Sequence, residues 1–494
     1  MLRSIITVVS GICVALAATA EIHRGLGPSP DTLDIHQAQG LSSFNLLRDL
    51  HEGLLTRDAH GRAVPAVARR WEVSEDGLRW IFELDPEARW SNGSAITAED
   101  FLRSFRRARA PDTASPTANW LAPISSVRAP ARDRLEIELS RPIPWFEELL
   151  TLPATFPYPA GGKALFSGAY QLQRRVPGSR FELARNPHYR QAASVPTSRI
   201  VWHVTEDPSA ELARFRAGEL HITESVPPGR HDWLEAELGP SLRIAPYLGS
   251  FYLVFNLARP PFENARDLRA ALSLAIDREI IVERVLGSGE LPAERLVPPG
   301  MPGWPGSGLT ATGEDPADRI AHARSLYDKA GFGPNRPLVV ELRFNSSLLH
   351  RRVAVAVAAM WKQHLGVRTR VINEEWKVFV TNRRQGRITE LVRGGWIADW
   401  ADPGNFLDNF YSMSPLNYAF YRDEAFDRLI DSAADHQGHA RTEILWRAEQ
   451  HLLDDQVIIP LYYYVSRHLV RPEISGFEDN LMDIHLSRWL ELDR

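Results

Sequence analysis

The sequence predicts an α/β protein of two or three domains. Residues 338–392 alternate strand and helix patterns, and such an alternation packs as a parallel sheet covered by helices. Residues 80–139 contain shorter segments in which polar and apolar residues alternate, which is typical of half-buried antiparallel strands. The chain has 494 residues, 44% of them hydrophobic, so it is long enough to bury more than one core.

The N-terminal residues have the order of a secretory signal. Arg3 is followed by an apolar run over residues 5–18, which is too short to cross a bilayer as a stable helix. A small-x-small cleavage site ends at Ala20. We therefore expect residues 1–20 to be a removed signal peptide and the mature, secreted chain to begin at Glu21.

The cysteine content narrows the possible chemistry. The single cysteine, Cys13, lies within the apolar run and follows Ile12, where a lipid-anchor site needs a small residue. The mature chain would contain no cysteine, which excludes disulfides, thiolate metal sites and a cysteine nucleophile. The net charge of −5 indicates no nucleic-acid partner. The 14 tryptophans are compatible with a binding cleft or with core packing.

The N-terminal part is predicted as an α+β region. Residues 80–84 and 134–139 alternate as strands, and Asn92 and Gly93 belong to a turn sequence between them. Surface loops or crossings between domains are expected at the Pro- and Gly-rich residues 153–162, 227–229 and 298–308.

The third quarter of the chain begins with helical patterns. Residues 267–286 repeat apolar residues at a helical period. Asp315 before Pro316 indicates the start of the next helix, and Gly331 indicates its end.

A strand-helix-strand-helix-strand run follows, and it locates the expected functional site. The predicted strands are residues 338–344, 368–372 and 389–392, and the predicted helices are residues 347–365 and 376–385. Ligands of parallel sheets bind beyond the carboxyl ends of the strands, so we expect residues 393–402 to contribute to the site.

Common catalytic motifs are absent from the sequence. We find no G-x-S-x-G elbow, no G-x-x-x-x-G-K-[ST] phosphate loop, no H-E-x-x-H zinc helix and no S-x-x-K pair. The 16 histidines are scattered along the chain, which argues against a metal or haem site. We therefore expect a binding function rather than catalysis, and no cofactor.

Short motifs in a fixed order run along nearly the whole chain and give a sharper assignment. They include Val64-Pro65-Ala66-Val67-Ala68, Trp90-Ser91-Asn92-Gly93-Ser94, Ser167-Gly168-Ala169-Tyr170, Arg185-Asn186-Pro187-His188-Tyr189, Ala275-Ile276-Asp277-Arg278, Gly394-Gly395-Trp396-Ile397-Ala398-Asp399-Trp400 and Pro460-Leu461-Tyr462-Tyr463-Tyr464. With these motifs the sequence resembles the extracellular family 5 solute-binding proteins, the oligopeptide-binding proteins of bacterial ABC importers.

The resemblance implies a two-lobed periplasmic binding protein fold of class II, cluster C type, with an extra α+β insert domain in the first lobe. The expected division is lobe I at residues 21–51, 157–248 and 466–494, the insert at residues 52–156, and lobe II at residues 249–465. Closure of the two lobes would bury the ligand, whose contacts to both faces would stabilise the closed state.

The resemblance also implies a function. The protein would bind short peptides in the periplasm, as a monomer, and deliver them to an inner-membrane ABC permease with ATPase subunits. Such a carrier must recognise the ammonium group, the carboxylate and the backbone amides that all peptides share. Two alternatives with the same fold stay open, namely a murein tripeptide or a metal or haem complex as ligand.

By resemblance, Asp399 pairs with the peptide's ammonium group, and Arg393 and His350 meet its carboxylate. Leaving a buried charge unpaired is costly, so Asp399 would discriminate against N-blocked peptides. The expected backbone edges are Gln39, Gly40 and Leu41 on one side and Gly395, Trp396 and Ile397 on the other. The expected pocket residues are Trp376, Tyr247, Tyr252, Tyr464 and Asn345, the last bonding the ligand or a bridging water. Taken singly, each charge is also compatible with a surface or capping role, and each aromatic with core packing.

Several positions depart from the family pattern. Thr117, Val254 and Leu286 stand where the resemblance implies an aromatic residue, a glutamate and a lysine. Gly249 and Ile397 occupy positions at which some members pair two cysteines. With one carboxylate ligand missing, we expect a narrower range of peptide lengths or a different preferred class of peptide.

Overall fold

The computed structural model describes residues 21–162, 164–301, 303–305, 315–388 and 390–493. The predicted signal peptide and the end of the predicted loop at residues 298–308 lie outside the described residues. Within them, no helix has the length and apolar character needed to cross a bilayer.

The first sheet joins segments that are distant in sequence. Its four strands are, in spatial order, Glu21–Gly27, Arg199–Val204, Arg180–Arg185 and Tyr170–Val176. The first pair is parallel and the other two are antiparallel. Its core contains Ile22 and Trp202 together with Phe477 and Leu490 from the C-terminal segment. The helices beside it are Leu41–Leu50, Pro208–Arg216 and His231–Leu238, and a short ribbon pairs Ile474–Ser475 with Glu491–Leu492.

A second, antiparallel sheet confirms the strands predicted near residues 80 and 134. Its strands are, in order, Ala68–Val73, Arg79–Leu84, Arg134–Leu139 and Ile124–Ala131, with a separate ribbon of Leu55–Arg57 and Ala63–Pro65. Helix Ala98–Arg109 covers this sheet with Phe101 and Phe105. Thr97 and Asp100 form a reciprocal capping box that satisfies its first turn. A one-turn helix, Phe146–Leu149, closes the unit.

The third sheet is mixed, which corrects the prediction of a parallel sheet. Its six strands are, in order, Leu291–Pro292, Ile458–Leu469, Leu242–Phe255, Leu391–Ile397, Val339–Asn345 and Arg368–Glu374. Only the last three are parallel to one another, as the alternating pattern predicted. The other three join them antiparallel, because two long strands from elsewhere in the chain complete the sheet.

The helices around the third sheet largely follow the sequence signals. They are Arg266–Leu274, Arg278–Ile280, Pro316–Lys329, Leu348–Leu365, Trp376–Arg384, Gly404–Leu407, Glu424–Ala434 and Gly438–Asp454. The Asp315 carboxylate accepts from the Ala317 amide at 2.8 Å, as the predicted helix start requires. The predicted helix at residues 267–286 is instead interrupted after Leu274 and ends in a π-helical turn, Ile281–Leu286.

The strands Leu242–Phe255 and Ile458–Leu469 connect the two halves of the molecule, and we call them the crossing strands. They pair with each other from Leu242 opposite Leu469 to Val254 opposite Ile458. The pairing is interrupted between Pro246 and Ser250. The result is a two-lobed α/β fold in which the third sheet and its helices form one lobe.

Candidate ligand-binding site

The strand Leu391–Ile397 lies at the centre of the candidate site. On one side, all its residues pair antiparallel with the crossing strand Leu242–Phe255. On the other side, only its first two residues pair with Val339–Asn345. Among the described residues, the edge from Arg393 to Ile397 therefore has no partner strand. Its backbone groups are available to an extended ligand.

This strand is longer than predicted, which changes where Arg393 stands. The prediction ended the strand at Val392, before Gly394 and Gly395, and glycine is a weak strand former. Pairing with the crossing strand overrides that preference and extends the strand through Ile397. Arg393 consequently lies within the sheet rather than in the loop beyond it.

Asp399 follows the strand and has no cationic partner among the described residues. Burial raises the pKa of its carboxyl group to about 6, and no neighbouring charge offsets that cost. Its backbone amide donates to Oδ1 of Asn405 at 3.2 Å. The indole of Trp396 donates to the same oxygen at 2.7 Å. Asn405 thus fixes the turn that carries an uncompensated carboxylate.

Arg393 lies at the other end of the free edge, and no acidic partner for it occurs in the part of the chain that the structure describes. Its Nη2 donates to the hydroxyl of Tyr464 at 3.0 Å, and its guanidinium lies 5.0 Å from the ring centre of Phe251. Its Nε is buried without a hydrogen-bond partner. A buried guanidinium with unused donors is well suited to hold a carboxylate.

His350 and Asn345 converge on the same place. The ring of His350 lies 5.5 Å from that of Phe251. Burial and then the charge of Arg393 lower the pKa of His350 to about 4, so the imidazole is neutral at pH 7. Nδ1 of His350 and Oδ1 of Asn345 are buried, and neither has a hydrogen-bond partner among the residues that the structure describes. In the absence of ligand, His350 offers hydrogen bonds rather than a positive charge.

A cavity of about 290 Å³ opens beside the free edge and contains an arginine that the sequence reasoning missed. Arg383 stacks on Tyr418 at 3.9 Å and lies 5.3 Å from Phe379. None of the described residues that line this cavity is acidic. Burial lowers the pKa of Arg383. The sequence signal that could have identified Arg383 is Val254. This residue lines the same cavity and stands where the resemblance implies a glutamate.

The structure brings most of the predicted site residues together. The cavity is lined by Tyr252, Trp376, Arg393, Gly395 and Trp396. Trp376 is about half exposed, as is Ile397 at the end of the strand. Tyr464 and Asn345 complete the group around Arg393.

Tyr247 lies near this site and also near a second group of charged residues. It lies on the crossing strand Leu242–Phe255, within the interruption between Pro246 and Ser250. Burial, and then the carboxylates of Asp483, Glu224 and Asp399, raise the pKa of its hydroxyl. Tyr247 is therefore close to both Asp399 and a cluster of acidic residues behind it.

Gln39, Gly40 and Leu41 lie in the other lobe. Gly40 is the N-cap of helix Leu41–Leu50, and the Gln39 amide donates to Asp31 at 3.0 Å. Leu41 is 51% exposed. No described hydrogen bond joins these three residues to the free edge.

The departing positions fall into different environments. Leu286 is buried in the core of the third sheet, and Thr117 is buried beside Ser115, so neither takes part in the described cavity. Gly249 pairs directly with Ile397 across the ladder. A Cβ at Gly249 would lie 2.6 Å from the ring of Tyr464, which leaves no room there without a shift.

The two-lobed fold and a site of unpaired charges beside a free strand edge define a class of binding proteins. The chain belongs to the bacterial extracellular solute-binding proteins of family 5, whose middle-region family description matches residues 62–418.

Three relatives illustrate this membership. The periplasmic oligopeptide-binding protein OppA of Escherichia coli K12 is 34% identical, over 94% of this chain and 91% of that protein. The unliganded open form of the periplasmic murein tripeptide-binding protein MppA matches with a TM-score of 0.87 and 32% identity, over 96% of this chain and 98% of that one. Haemophilus influenzae OppA in complex with RPPGFSPFR matches with a TM-score of 0.76 and 29% identity, over 97% and 99%.

Proposed function

We propose that this protein is the periplasmic substrate-binding component of an ABC-type importer and that its ligands are short peptides. One observation carries the proposal. Among the described residues, the carboxylate of Asp399 has no cationic partner, the guanidinium of Arg393 has no acidic partner, and the strand edge between them has no partner strand. A peptide supplies an ammonium group, a carboxylate and backbone hydrogen bonds in that arrangement. The names of the relatives, which bind oligopeptides or murein tripeptide, support it.

The ammonium group binds Asp399 and the carboxylate binds Arg393 with His350 and Asn345. The peptide backbone bonds to the edge from Gly395 to Ile397, and Trp376, Trp396, Tyr252 and Tyr464 surround the side chains. Tyr247 lies beside the ammonium end. Gln39, Gly40 and Leu41 reach the peptide from the opposite lobe on closure.

The lobes are divided as the resemblance implies. Lobe I comprises residues 21–51, 157–248 and 466–494, the insert residues 52–156, and lobe II residues 249–465. The separate hydrophobic cores of the first and second sheets support the distinction between lobe I and its insert. The crossing strands pass the boundaries at residues 248 and 465, and the lobes close about them.

The remaining assignments follow from this role. Residues 1–20 direct secretion and are removed, and the monomeric mature protein hands its ligand to an inner-membrane permease with ATPase subunits. The protein binds peptides without hydrolysing them. Incubation of a bound peptide with the purified protein should return it intact, and a cleaved product would contradict this part of the proposal.

Mass spectrometry of ligand released by denaturation tests the proposal most directly. Ligands enclosed between lobes dissociate slowly, so we expect short peptides with free amino termini in the released fraction. Calorimetry with trialanine and N-acetyl-trialanine is the matched solution test. Equal affinity of the two peptides, or release of a non-peptide ligand alone, would refute the proposal.

Arg383 favours one class of peptide over the others. With Val254 in place of an acid, its charge is uncompensated in the cavity. An anionic group of the ligand that enters this cavity would pair with Arg383. A γ-linked glutamyl residue, which leaves its α-carboxylate free, provides such a group, so murein peptide is the second candidate ligand. Competition between a γ-glutamyl tripeptide and trialanine distinguishes the two.

A further inference from the structure

A second cluster of metal-ligating side chains lies away from Asp399, at the end of the crossing strand Ile458–Leu469. Nε2 of His468 lies 2.8 Å from Oδ1 of Asp483, and Nε2 of His485 lies 2.9 Å from the same oxygen. A ligand atom from each of the three residues lies within 4.8 Å of the others. The histidines are scattered in sequence, but the fold brings these two to one carboxylate.

A small polar cavity of about 10 Å³ adjoins the three residues. This volume is close to the minimum that holds one water molecule. Glu224 lines the same cavity, and its carboxylate has no hydrogen-bond partner among the described residues. Two imidazoles, two carboxyl groups and the guanidinium of Arg24 therefore line a space of atomic size.

The orientations of the two rings are fixed from behind. Nδ1 of His468 lies 3.0 Å from the carbonyl oxygen of Thr223, which holds the ring with Nε2 toward Asp483. Metal-bound histidines commonly use a backbone carbonyl in this way. The ring of His485 stacks on Phe477 with centres 3.8 Å apart.

One ring nitrogen of His485 has no hydrogen-bond partner among the described residues, while the other bonds to Asp483. Its side chain is only 6% exposed and lines the cavity, yet its Nδ1 has no hydrogen-bond partner. Buried polar atoms are nearly always paired, and an unpaired one calls for an explanation such as an ion.

The local charge is compatible with a divalent cation. Arg24 lies nearby, but Asp49 compensates its charge, and its Nη1 donates to Ser487 Oγ and to the His485 carbonyl oxygen. A third carboxyl group, that of Glu211, lies close to Glu224. It accepts hydrogen bonds from the backbone amides of Glu224 and Ser225. The carboxyl groups of Asp483, Glu224 and Glu211 therefore lie around the two imidazoles.

We infer that His468, His485 and Asp483 bind one divalent transition-metal ion, with Zn²⁺ as the best match for mixed nitrogen and oxygen ligands, and that Glu224 lies at the wall of the same cavity. The ion ties the crossing strand to the C-terminal segment. Its role is structural, at the attachment of the crossing strand, and it is not the transported ligand.

Calorimetric titration of tag-free, chelator-treated protein with Zn²⁺ tests the site, and Co²⁺ absorption reports its geometry. We expect one ion per chain, a raised melting temperature and visible d–d bands typical of a four- or five-coordinate ion. Absence of saturable binding at micromolar Zn²⁺ would overturn the inference.

Matched variants locate the ion. Loss of a direct ligand in His485→Gln should weaken binding about 100-fold or more, since loss of supporting groups alone costs 10- to 100-fold. His451→Gln is the control, because His451 lies in the other potential metal group, with the partly exposed Asp423 and Asp455. Loss of binding in His451→Gln with retention in His485→Gln would overturn the inference. Should His485→Gln fail to fold, Asp483→Asn, at a partly exposed ligand, gives the same comparison.

Competition separates this site from the ligand cleft. Saturating trialanine should leave Zn²⁺ binding unchanged, and Asp399→Asn should retain it. Displacement of the metal by peptide would place the ion in the cleft and overturn the structural site. Failure of peptide binding alone would affect the proposed function and leave the metal site standing.

Discussion

Trp145 stacks on Trp400 with ring centres 5.9 Å apart and planes inclined by only 6°. Trp120 packs edge-on against the same indole at 6.2 Å. Trp400 directly follows Asp399, so two tryptophans from residues 52–156 hold the turn that presents the unpaired carboxylate. The segment that the resemblance treats as an insert thus supports the ligand site from outside it.

Trp145→Leu should weaken peptide binding about 2- to 10-fold, since an aromatic pair contributes about 0.5–1.5 kcal/mol beyond its buried area. Calorimetry with trialanine measures the change. Trp446→Leu is the matched control, because Trp446 contacts Trp304 and Arg295 rather than Trp400. Equal losses in both variants would indicate general destabilisation and contradict the proposed support.

Asp399→Asn should reduce affinity for free-amine peptides by about 100-fold or more. Removing one member of a buried pair leaves the ammonium group uncompensated, at a cost of about 3–5 kcal/mol. N-acetylated peptides should bind wild type and variant with similar, weak affinity. The exposed Asp435→Asn provides the control. Unchanged calorimetric affinity in Asp399→Asn would remove the proposed ammonium site.

The same substitution should stabilise the ligand-free protein at neutral pH. The pKa of Asp399 is about 6 when folded and close to 3.8 when unfolded, so the folded state binds the proton more tightly. Its charge therefore lowers the free energy of unfolding as pH rises from about 4 to 6, by up to about 3 kcal/mol. Asp399→Asn should melt at a higher temperature than wild type at pH 7.5, and the difference should shrink near pH 4. A lower melting temperature at pH 7.5 would contradict this prediction.

The affinity for peptide should rise as the Asp399 carboxyl group ionises, whereas the stability of the ligand-free protein should fall. Binding of an ammonium group requires the charged carboxylate, so affinity for trialanine should fall as pH decreases through about 6. Asp399→Asn should show no such inflection in calorimetry over pH 5–8. An identical pH profile in the variant would assign the ionisation to another group.

Val254→Glu should remove the preference for anionic ligands. The new carboxylate would face Arg383 in the shared cavity and compensate its charge. We expect the γ-glutamyl tripeptide to lose about 10- to 100-fold in affinity and trialanine to be little affected. The volume control is Val254→Gln. Equal effects on both ligands, or an effect of Val254→Gln as large as that of Val254→Glu, would argue against a charge-based preference.

Local signals predicted most of the third sheet's elements. The start of helix Pro316–Lys329 and the position of helix Leu348–Leu365 followed from capping residues and apolar period. In the second sheet, the strand at residues 134–139 was predicted with its observed bounds. Such features depend on neighbouring residues alone, which a single sequence contains.

Long-range features were not accessible in the same way. The local pattern of residues 391–397 does not indicate that pairing with the crossing strand continues this strand past two glycines. Arg383 looked like one basic residue among many, and only its enclosure by Tyr418 and Phe379 makes its charge significant. The histidines at 468 and 485 meet only because the C-terminal segment returns to the crossing strand.

The interruption in the pairing between the crossing strands marks the position at which they can bend with the smallest loss of hydrogen bonds. Pro246 is opposite Val465 and Ser250 is opposite Tyr463, so three residues on one strand face a single residue, Tyr464, on the other. An irregular ladder of this kind increases local bend and twist without breaking further hydrogen bonds. Residues 247–249 can thus act as a pivot between two regularly paired segments. A substitution that stiffens these residues should slow the exchange of ligand and have less effect on the affinity for it.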